Sequence, residues 1–131
     1  MPTFNQSTVS SAAPEEVWKL LYDPARFPDW WAGVGSVTTG VDTGGYTMFP
    51  DGYPDFPMPQ SLEASQHDGS VKISCLVSDL CFDWRLRPAG RGTEISVHVD
   101  IPNAEAHRLD AQRDIIQRSL TRLAELAAVT E

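Results

Sequence analysis

The sequence predicts an α+β domain in which antiparallel strands come first and one long helix comes last. Three successive segments between residues 71 and 101 alternate apolar and polar residues, which is the period of half-buried strands. Residues 104–128 then place apolar residues at intervals of three and four, which is the period of an amphipathic helix. A chain of 131 residues suits one domain, so we expect residues 1–131 to form a single unit.

Charge and hydropathy narrow the classes of partner. The net charge is −8, with 18 acidic and 10 basic residues. Nucleic acids and anionic membranes require a basic surface, so we expect no nucleic acid partner. No segment approaches the roughly 20 apolar residues of a membrane span, and the N-terminus lacks the features of a signal peptide. The simplest interpretation is a cytoplasmic protein with reduced thiols, either a monomer or a homodimer.

The first part of the chain predicts a strand and two short helices. Residues 3–10 read as the strand, and residues 14–22 read as a helix with Pro14 at its first position, where the missing N–H costs nothing. Asp23, followed by proline, ends this helix and caps a second one through residues 25–27.

The middle of the chain is less regular. We expect strands at residues 33–41 and 46–49, and a short strand at residues 61–66. Between them, residues 50–59 carry four prolines. Because proline cannot donate to a strand ladder, we expect this segment to be a long loop or lid rather than a central strand.

The three alternating segments predict a meander with one apolar face. A tight turn at residues 78–79 pairs Cys75 with Phe82, and a loop through residues 88–93 pairs Phe82 with Val99. A slip of one residue would turn a whole strand over, so the pattern constrains the register. The shared face then holds Val71, Ile73, Cys75, Val77, Leu80, Phe82, Trp84, Leu86, Ile95, Val97, Val99 and Ile101.

Several motifs resemble those of the START-like (SRPBCC) superfamily, and most closely its polyketide cyclase/dehydrase-type group. These are APEEVW at residues 13–18, DP at residues 23–24, FPDWW at residues 27–31, and the Gly-Thr pair at residues 92–93 before the last strand. The resemblance implies a helix-grip fold, in which a curved antiparallel sheet wraps around the long C-terminal helix, with two short helices after the first strand. It also implies a ligand cavity between sheet and helix.

A gap between a curved sheet and a helix is a concave and mostly apolar site. We expect it to bind a hydrophobic small molecule, and we predict the contacts from the inward faces of the strands and helix and from the tryptophan pair. The predicted ligand-binding residues are Trp30, Trp31, Phe49, Ile73, Cys75, Phe82, Trp84, Val97, Val99, Leu109, Gln112 and Ile116. The alternative is that these side chains simply fill the core. Tyr53 and Phe56 either close the cavity mouth as a lid or anchor their loop to the protein surface.

Three polar residues interrupt the apolar face of the long helix at seven-residue spacing: Glu105, Gln112 and Ser119. A buried polar group needs a partner. For Gln112 we expect a hydrogen bond to the ligand or a pocket water, or alternatively to a backbone carbonyl of the sheet. For Ser119 we expect a bond back to the preceding helical turn, and for Glu105 a solvated position.

No catalytic residue is assigned from the sequence. No metal-binding motif is present, so we predict neither a metal nor a cofactor. We expect Cys75 to be an inert core thiol with a raised pKa. It should face away from Cys81, which excludes a disulfide between them. The predicted register places His98 opposite Asp83 on the outer face of the sheet, as a surface pair.

The resulting prediction is a binding domain for a hydrophobic or aromatic, lipid-like or polyketide-like, small molecule. One alternative is a polyketide cyclase or dehydratase that acts by positioning its substrate. The other is a protein-interaction domain with a vestigial cavity, which would expose an apolar patch around Tyr53, Phe56 and Met58.

Overall fold

The computed structural model describes residues 2–39 and 45–129. The strands are β1 (Thr3–Ser10), β2 (Val34–Thr38), β3 (Gly45–Pro50), β4 (Met58–Ser65), β5 (Ser70–Cys75), β6 (Cys81–Ala89) and β7 (Gly92–Asp100). The helices are α1 (Pro14–Leu21), α2 (Phe27–Trp30) and α3 (Leu109–Val129), with 3-10 turns at Pro24–Arg26 and Asn103–Arg108. All the strands join one antiparallel sheet in the order β1-β7-β6-β5-β4-β3-β2. Since α3 packs against β1, α1 and α2, the predicted α+β helix-grip fold is confirmed.

The opening of the chain folds as its capping residues predict. Helix α1 begins at Pro14, and the Asp23 carboxylate accepts a hydrogen bond from the Ala25 N–H at 3.1 Å, which caps the following 3-10 turn. The indole N–H of Trp30 donates to the Leu20 carbonyl at 2.9 Å. This bond satisfies a buried donor and ties α2 to α1.

The Gly-Thr pair at the start of β7 joins three elements. A Cβ atom built on Gly92 would overlap the carbonyl oxygen of Ser10, so only glycine lets the ends of β1 and β7 approach this closely. The Thr93 hydroxyl donates to the Ala12 carbonyl at 2.9 Å, and the Ser10 hydroxyl donates to the Ala124 carbonyl at 2.8 Å. The motif therefore connects the sheet to α3.

The predicted register is confirmed between β6 and β7 and is wrong by two residues between β5 and β6. Phe82 pairs with Val99 as expected, but its partner on β5 is Ile73 rather than Cys75. The physical reason is a longer turn. Residues 76–79 connect the strands, and the Cys75 N–H donates to the Leu80 carbonyl at 2.8 Å.

A shift of two residues keeps every side chain on its predicted face. The apolar face of the meander is buried as expected, with Leu86 only half-buried, but Val77 lies in the turn and is 56% exposed. The assignment of Val77 to the core is therefore wrong.

Three other boundaries differ from the prediction. Strand β4 begins at Met58, so Pro59 lies in a strand between β3 and β5, and the loop shrinks to residues 51–57. The proline is tolerated because the β4–β5 ladder begins only at Gln60. The single helix predicted at residues 104–128 starts with a 3-10 turn, and α3 proper begins at Leu109. The predicted strand at residues 33–41 is β2, and its residues 40–41 lie outside the described residues.

Candidate ligand-binding site

An aromatic cluster forms the floor beneath the first half of α3. Its centre is Trp31, whose ring lies 5.1 Å from Phe82, 5.3 Å from Trp84 and 5.4 Å from Trp30, measured between centroids. The contacts with Phe82 and Trp84 are edge-to-face, the geometry that favours aromatic pairs. Trp30 is the core anchor of the pair, whereas Trp31 borders a cavity.

The cavity has a volume of about 210 Å³ and lies between the inner face of β3 to β6 and the start of α3. Its wall runs from fully buried side chains to the exposed Gly33, so it opens to solvent. Its apolar part is formed mainly by Trp31, Val34, Met48, Met58, Leu80 and Phe82. Pockets for drug-sized ligands usually measure roughly 300–1,000 Å³. This one therefore suits one small ring system or a short chain.

A set of polar side chains, here called the polar arc, occupies the rest of the wall. The polar arc consists of Tyr46, Gln60, Cys75, Ser78, Arg108 and Gln112. Tyr46 faces Gln60 across the β3–β4 ladder, so the two strands bring these side chains together. Arg108 and Gln112 approach from the turn before α3 and from its first turns. The cavity is thus apolar with one polar side.

Burial and hydrogen bonding set the protonation of the two acidic groups in the polar arc. Burial, with a smaller contribution from Cys75, raises the pKa of Tyr46, so its hydroxyl stays protonated at neutral pH. Burial also acts to raise the pKa of the Cys75 thiol. Hydrogen bonds from the Ser78 hydroxyl, from the backbone N–H groups of Ser78 and Val77, and from the Gln60 side chain outweigh that effect and lower it. The predicted raised pKa of Cys75 is therefore wrong, because the turn at residues 76–79 directs donors at the sulfur.

Gln112 is buried without a partner. Its side chain is 7% exposed, lines the cavity, and makes no hydrogen bond within the part of the chain that the structure describes. The expected alternative, a bond to a sheet carbonyl, is thus absent among these residues. At the cavity rim Arg108 lies 3.7 Å from Glu105, which is partly buried rather than fully solvated.

Ser119 makes the predicted bond and one more. Its hydroxyl donates to the Ile115 carbonyl at 2.7 Å, one helical turn back, and accepts from the Ala32 N–H at 2.9 Å. Ala32 and Ile115 both border the cavity. Ser119 therefore fixes the segment after α2 to α3 and holds one side of the cavity in place.

Four of the predicted ligand-binding residues border this cavity: Trp31, Cys75, Phe82 and Gln112. Six others lie buried in the core beyond it: Trp30, Ile73, Trp84, Val97, Val99 and Ile116. Phe49 and Leu109 are partly buried outside the wall. The reason is that the apolar faces of β6 and β7 pack against α1, whereas the cavity is bordered by β2 to β5 and, on β6, by Phe82.

The sequence did not single out Tyr46, Gln60, Ser78 or Arg108 for this wall. Gln60 lies between the loop predicted at residues 50–59 and the strand predicted at residues 61–66, although Met58 and Leu62 flank it at strand spacing. Recognising that alternation would have placed Gln60 on the inner face.

The two aromatic residues of the proline-rich segment do not cover the cavity, although Pro50 and Met58 at its ends border it. Tyr53 is 66% exposed and Phe56 is 55% exposed, and neither belongs to the wall. In the neighbouring turn, Leu76 and Val77 are also exposed.

A larger depression of about 520 Å³ lies beside α1, but its wall includes His67 and the exposed Arg85 and Arg87, which suit an apolar ligand poorly.

No acid–base pair of the outer face reaches the cavity. His98 lies opposite Asp83 in the ladder, as predicted, but its ring nitrogens contact Asn5 Oδ1 at 2.8 Å and Asp100 Oδ1 at 2.9 Å.

Both cysteines are free thiols. Within residues 2–39 and 45–129, no cluster of three or more potential metal ligands is found, and none of the helices there is long and apolar enough to cross a bilayer.

Comparisons with known proteins agree with this architecture. The protein XoxI from Bacillus cereus superposes with a TM-score of 0.81 at 13% identity, covering 96% of this chain and 95% of that one. A Thermobifida fusca protein gives a TM-score of 0.78 at 18% identity, covering 100% of this chain and 96% of that one. The di-domain ARO/CYC BexL from the BE-7585A biosynthetic pathway gives a TM-score of 0.77 at 14% identity, covering 95% of this chain and 46% of that one. At such identities these likenesses concern the fold alone.

No curated protein matches the sequence. The family described as "Polyketide cyclase / dehydrase and lipid transport" matches residues 1–128, which is nearly the whole length. The helix-grip fold and this match agree, and the chain belongs to the polyketide cyclase/dehydrase and lipid transport family.

Proposed function

We propose that this protein binds a small, largely apolar molecule with one polar end in the cavity under α3. The observation that carries the proposal is Gln112, whose side chain is 7% exposed, lines the cavity and makes no hydrogen bond to any described residue. Its amide keeps some contact with solvent through the open cavity. A polar group of a ligand can replace that contact with a hydrogen bond, which contributes about 0.5–1.5 kcal/mol.

The two sides of the cavity define an orientation for the ligand. Its apolar body lies against Trp31 and Phe82, which are held rigidly by the aromatic cluster. Its polar end faces Gln112 and Cys75. Burial of about 150 Å² of apolar ligand surface would contribute about 4 kcal/mol. These four residues are the ligand contacts that we propose, and six of the other predicted contacts lie in the core behind them.

Binding can be measured through Trp31, since the remaining tryptophans, Trp18, Trp30 and Trp84, do not border the cavity. We would screen fatty acids, quinones, sterol fragments and small aromatic ketones by fluorescence quenching and thermal shift, after native mass spectrometry of the purified protein. A ligand bound in the cavity should quench the fluorescence and raise Tm. The quenching should shrink in a Trp31→Phe variant.

Gln112→Leu tests the polar contact, and Gln117→Leu on the exposed face of the same helix is its matched control. For a ligand with a polar end, loss of one hydrogen bond should raise Kd about tenfold in Gln112→Leu. Gln117→Leu should leave Kd unchanged. Equal affinities in the two variants, or no binding across the panel, would refute the proposal.

A second candidate is a cyclase or dehydratase activity on a polyketide-like or aromatic substrate. The observation that favours it is the presence of the protonated Tyr46 hydroxyl and the Cys75 thiol on the cavity wall. Both groups can exchange protons or donate hydrogen bonds to a substrate carbonyl. Conversion of a bound aromatic ketone, followed by chromatography and lost in Tyr46→Phe, would support this activity over simple binding.

A third candidate is a protein-interaction surface, favoured by the exposed Tyr53, Phe56, Leu76 and Val77. It predicts that Tyr53→Ser with Phe56→Ser would abolish association with a partner protein while leaving ligand binding intact. Association that survives this double change, or that is lost in Gln112→Leu, would count against it.

A further inference from the structure

We propose that Cys75 adds covalently to a small α,β-unsaturated carbonyl compound, such as an enone, held in the cavity. This inference rests on the proposed function, because it names the chemical class of ligand for the same site. It stands on two independent features, a free thiol on the cavity wall and an unpartnered amide elsewhere on the same wall.

The turn at residues 76–79 builds a site for a thiolate. Hydrogen bonds from the Asp79 N–H to the Cys75 carbonyl at 2.9 Å and from the Cys75 N–H to the Leu80 carbonyl at 2.8 Å hold it closed. Asp79 adopts a left-handed conformation with φ of 61°. The backbone N–H groups of Val77 and Ser78, which follow Cys75 in this turn, help to lower the pKa of its thiol.

Two side chains complete this environment. The Ser78 hydroxyl and the Gln60 amide also lower the pKa of the Cys75 thiol, and both residues border the cavity. Donors of this kind favour the charged form of the thiol, which is the nucleophilic form. Cys75 itself lies on the cavity wall, so a ligand in the cavity can contact its sulfur.

Gln112 supplies the second feature. Its side chain is buried on the α3 side of the cavity and makes no hydrogen bond within the described residues. The amide N–H can donate to a carbonyl oxygen of the ligand. A conjugated carbonyl compound offers both an oxygen for Gln112 and an electrophilic carbon for Cys75, and its flat apolar skeleton suits the Trp31 and Phe82 rings.

The proposed step is an addition that is balanced in atoms and electrons. The thiol proton leaves to water, and the sulfur forms a bond to the β-carbon of the ligand. The carbon–carbon π bond breaks, and its electron pair moves towards the carbonyl oxygen to give an enolate, which the Gln112 amide stabilises. A proton from water then adds to the α-carbon. The product is a neutral thioether, and no oxidant or reductant is consumed.

Cys81 provides an internal control. It lies on the outer side of β6, where its thiol contacts the Asp79 carbonyl at 3.6 Å and the Ser74 hydroxyl at 3.5 Å. It does not border the cavity. Cys81→Ser therefore leaves Cys75 as the single thiol, and Cys75→Ser leaves Cys81.

The experiment follows addition of 2-cyclohexenone at neutral pH by intact-protein mass spectrometry, with cyclohexanone as the saturated competitor. The Cys81→Ser protein should gain one adduct at a rate that saturates with enone concentration and falls when cyclohexanone is added. The rate should exceed that of the Cys75→Ser protein about tenfold or more, because the cavity holds the enone beside Cys75 and not beside Cys81. A slower reaction at Cys75, or one that does not saturate, would overturn the inference.

A second reagent separates the role of Gln112 from that of the thiolate. Gln112→Leu in the Cys81→Ser background should slow enone addition about tenfold, since it removes one hydrogen bond to the enolate. It should not slow methylthiolation by methyl methanethiosulfonate, which needs no carbonyl contact. Ser78→Ala should slow both reactions. If Gln112→Leu leaves the enone rate unchanged, the proposed contact is wrong.

The two proposals fail differently. If cyclohexanone and other unreactive ligands bind while the enone forms no adduct, the covalent inference fails and the proposed binding function stands. If no compound binds and no adduct forms, the proposed function fails as well.

Discussion

Ser119→Ala is the sharpest test of how the cavity is held open. The Ser119 hydroxyl is completely buried and accepts a hydrogen bond from the Ala32 N–H at 2.9 Å. Ala32 is itself 3% exposed, so water cannot readily replace the lost acceptor. The second bond of the hydroxyl, to the Ile115 carbonyl, matters less, because a helix carbonyl at that position already has an intrahelical partner.

The magnitude follows from these contacts. A buried backbone N–H left without an acceptor costs about 1–3 kcal/mol. Alanine has the higher helix propensity and returns about 0.5 kcal/mol. We therefore expect the free energy of unfolding to fall by about 1–2 kcal/mol. For a domain of this size Tm should fall by roughly 4–8 °C.

Thr121→Ala is the matched control, and urea unfolding measures both variants. The Thr121 hydroxyl makes the same bond back to its helix, to the Gln117 carbonyl at 3.2 Å, but it is exposed and the structure gives it no contact outside α3. Its removal should change the free energy of unfolding by no more than about 0.5 kcal/mol. If both substitutions have equal effects, the bond to Ala32 does not stabilise the cavity wall and our reasoning is refuted.

Three other perturbations give distinct outcomes. Gly92→Ala forces a Cβ against the Ser10 carbonyl and should destabilise by about 2 kcal/mol or more in urea unfolding. Gly90→Ala is the control, because it strains a turn with φ of 62° without a clash, and it should lower the free energy of unfolding by about 1 kcal/mol. Equal losses in the two variants would exclude the clash with the Ser10 carbonyl. Burial raises the pKa of Tyr46 above its unfolded value, so the stability that it contributes is complete below about pH 10 and is lost as pH rises further. In Tyr46→Phe, the free energy of unfolding should fall less steeply above about pH 10. An unchanged fall would show that the ionisation of Tyr46 does not cause it. Trp84→Ala should destabilise by about 3–5 kcal/mol through a core cavity, measured by thermal unfolding, and a loss below 1 kcal/mol would contradict its burial.

The fold was predictable because alternation and helical period are strong where one face of an element is buried. The β6–β7 register follows from apolar residues that must all face the core, as the pairing of Trp84 with Val97 shows. The order of the short helices follows from Pro14 and Asp23, whose backbone preferences act locally. Such signals do not depend on distant parts of the chain.

The site was predictable only in part, because a cavity forms where inward side chains from different elements do not pack against one another. Trp31 and Trp30 are neighbours in sequence, and their separate roles arise from the indole bond of Trp30 to Leu20. Tyr46 and Gln60 meet only through the β3–β4 register, which the proline-rich segment obscured. Sequence periodicity indicates which residues face inward, but it does not indicate which inward residues touch one another.

The turn between β5 and β6 connects the main error in register with the chemistry of the site. A two-residue turn at 78–79 would continue the strand through Val77, pair Cys75 with Phe82 and leave an apolar thiol in the core. The four-residue turn instead ends the strand at Cys75, exposes Val77 and places its N–H, together with that of Ser78, beside the sulfur. Because a shift of two residues preserves the faces of the strands, the fold can accommodate either turn. Only the longer turn brings these donors near the sulfur, so the local conformation of residues 76–79, rather than the fold, determines the direction in which the pKa of Cys75 is shifted.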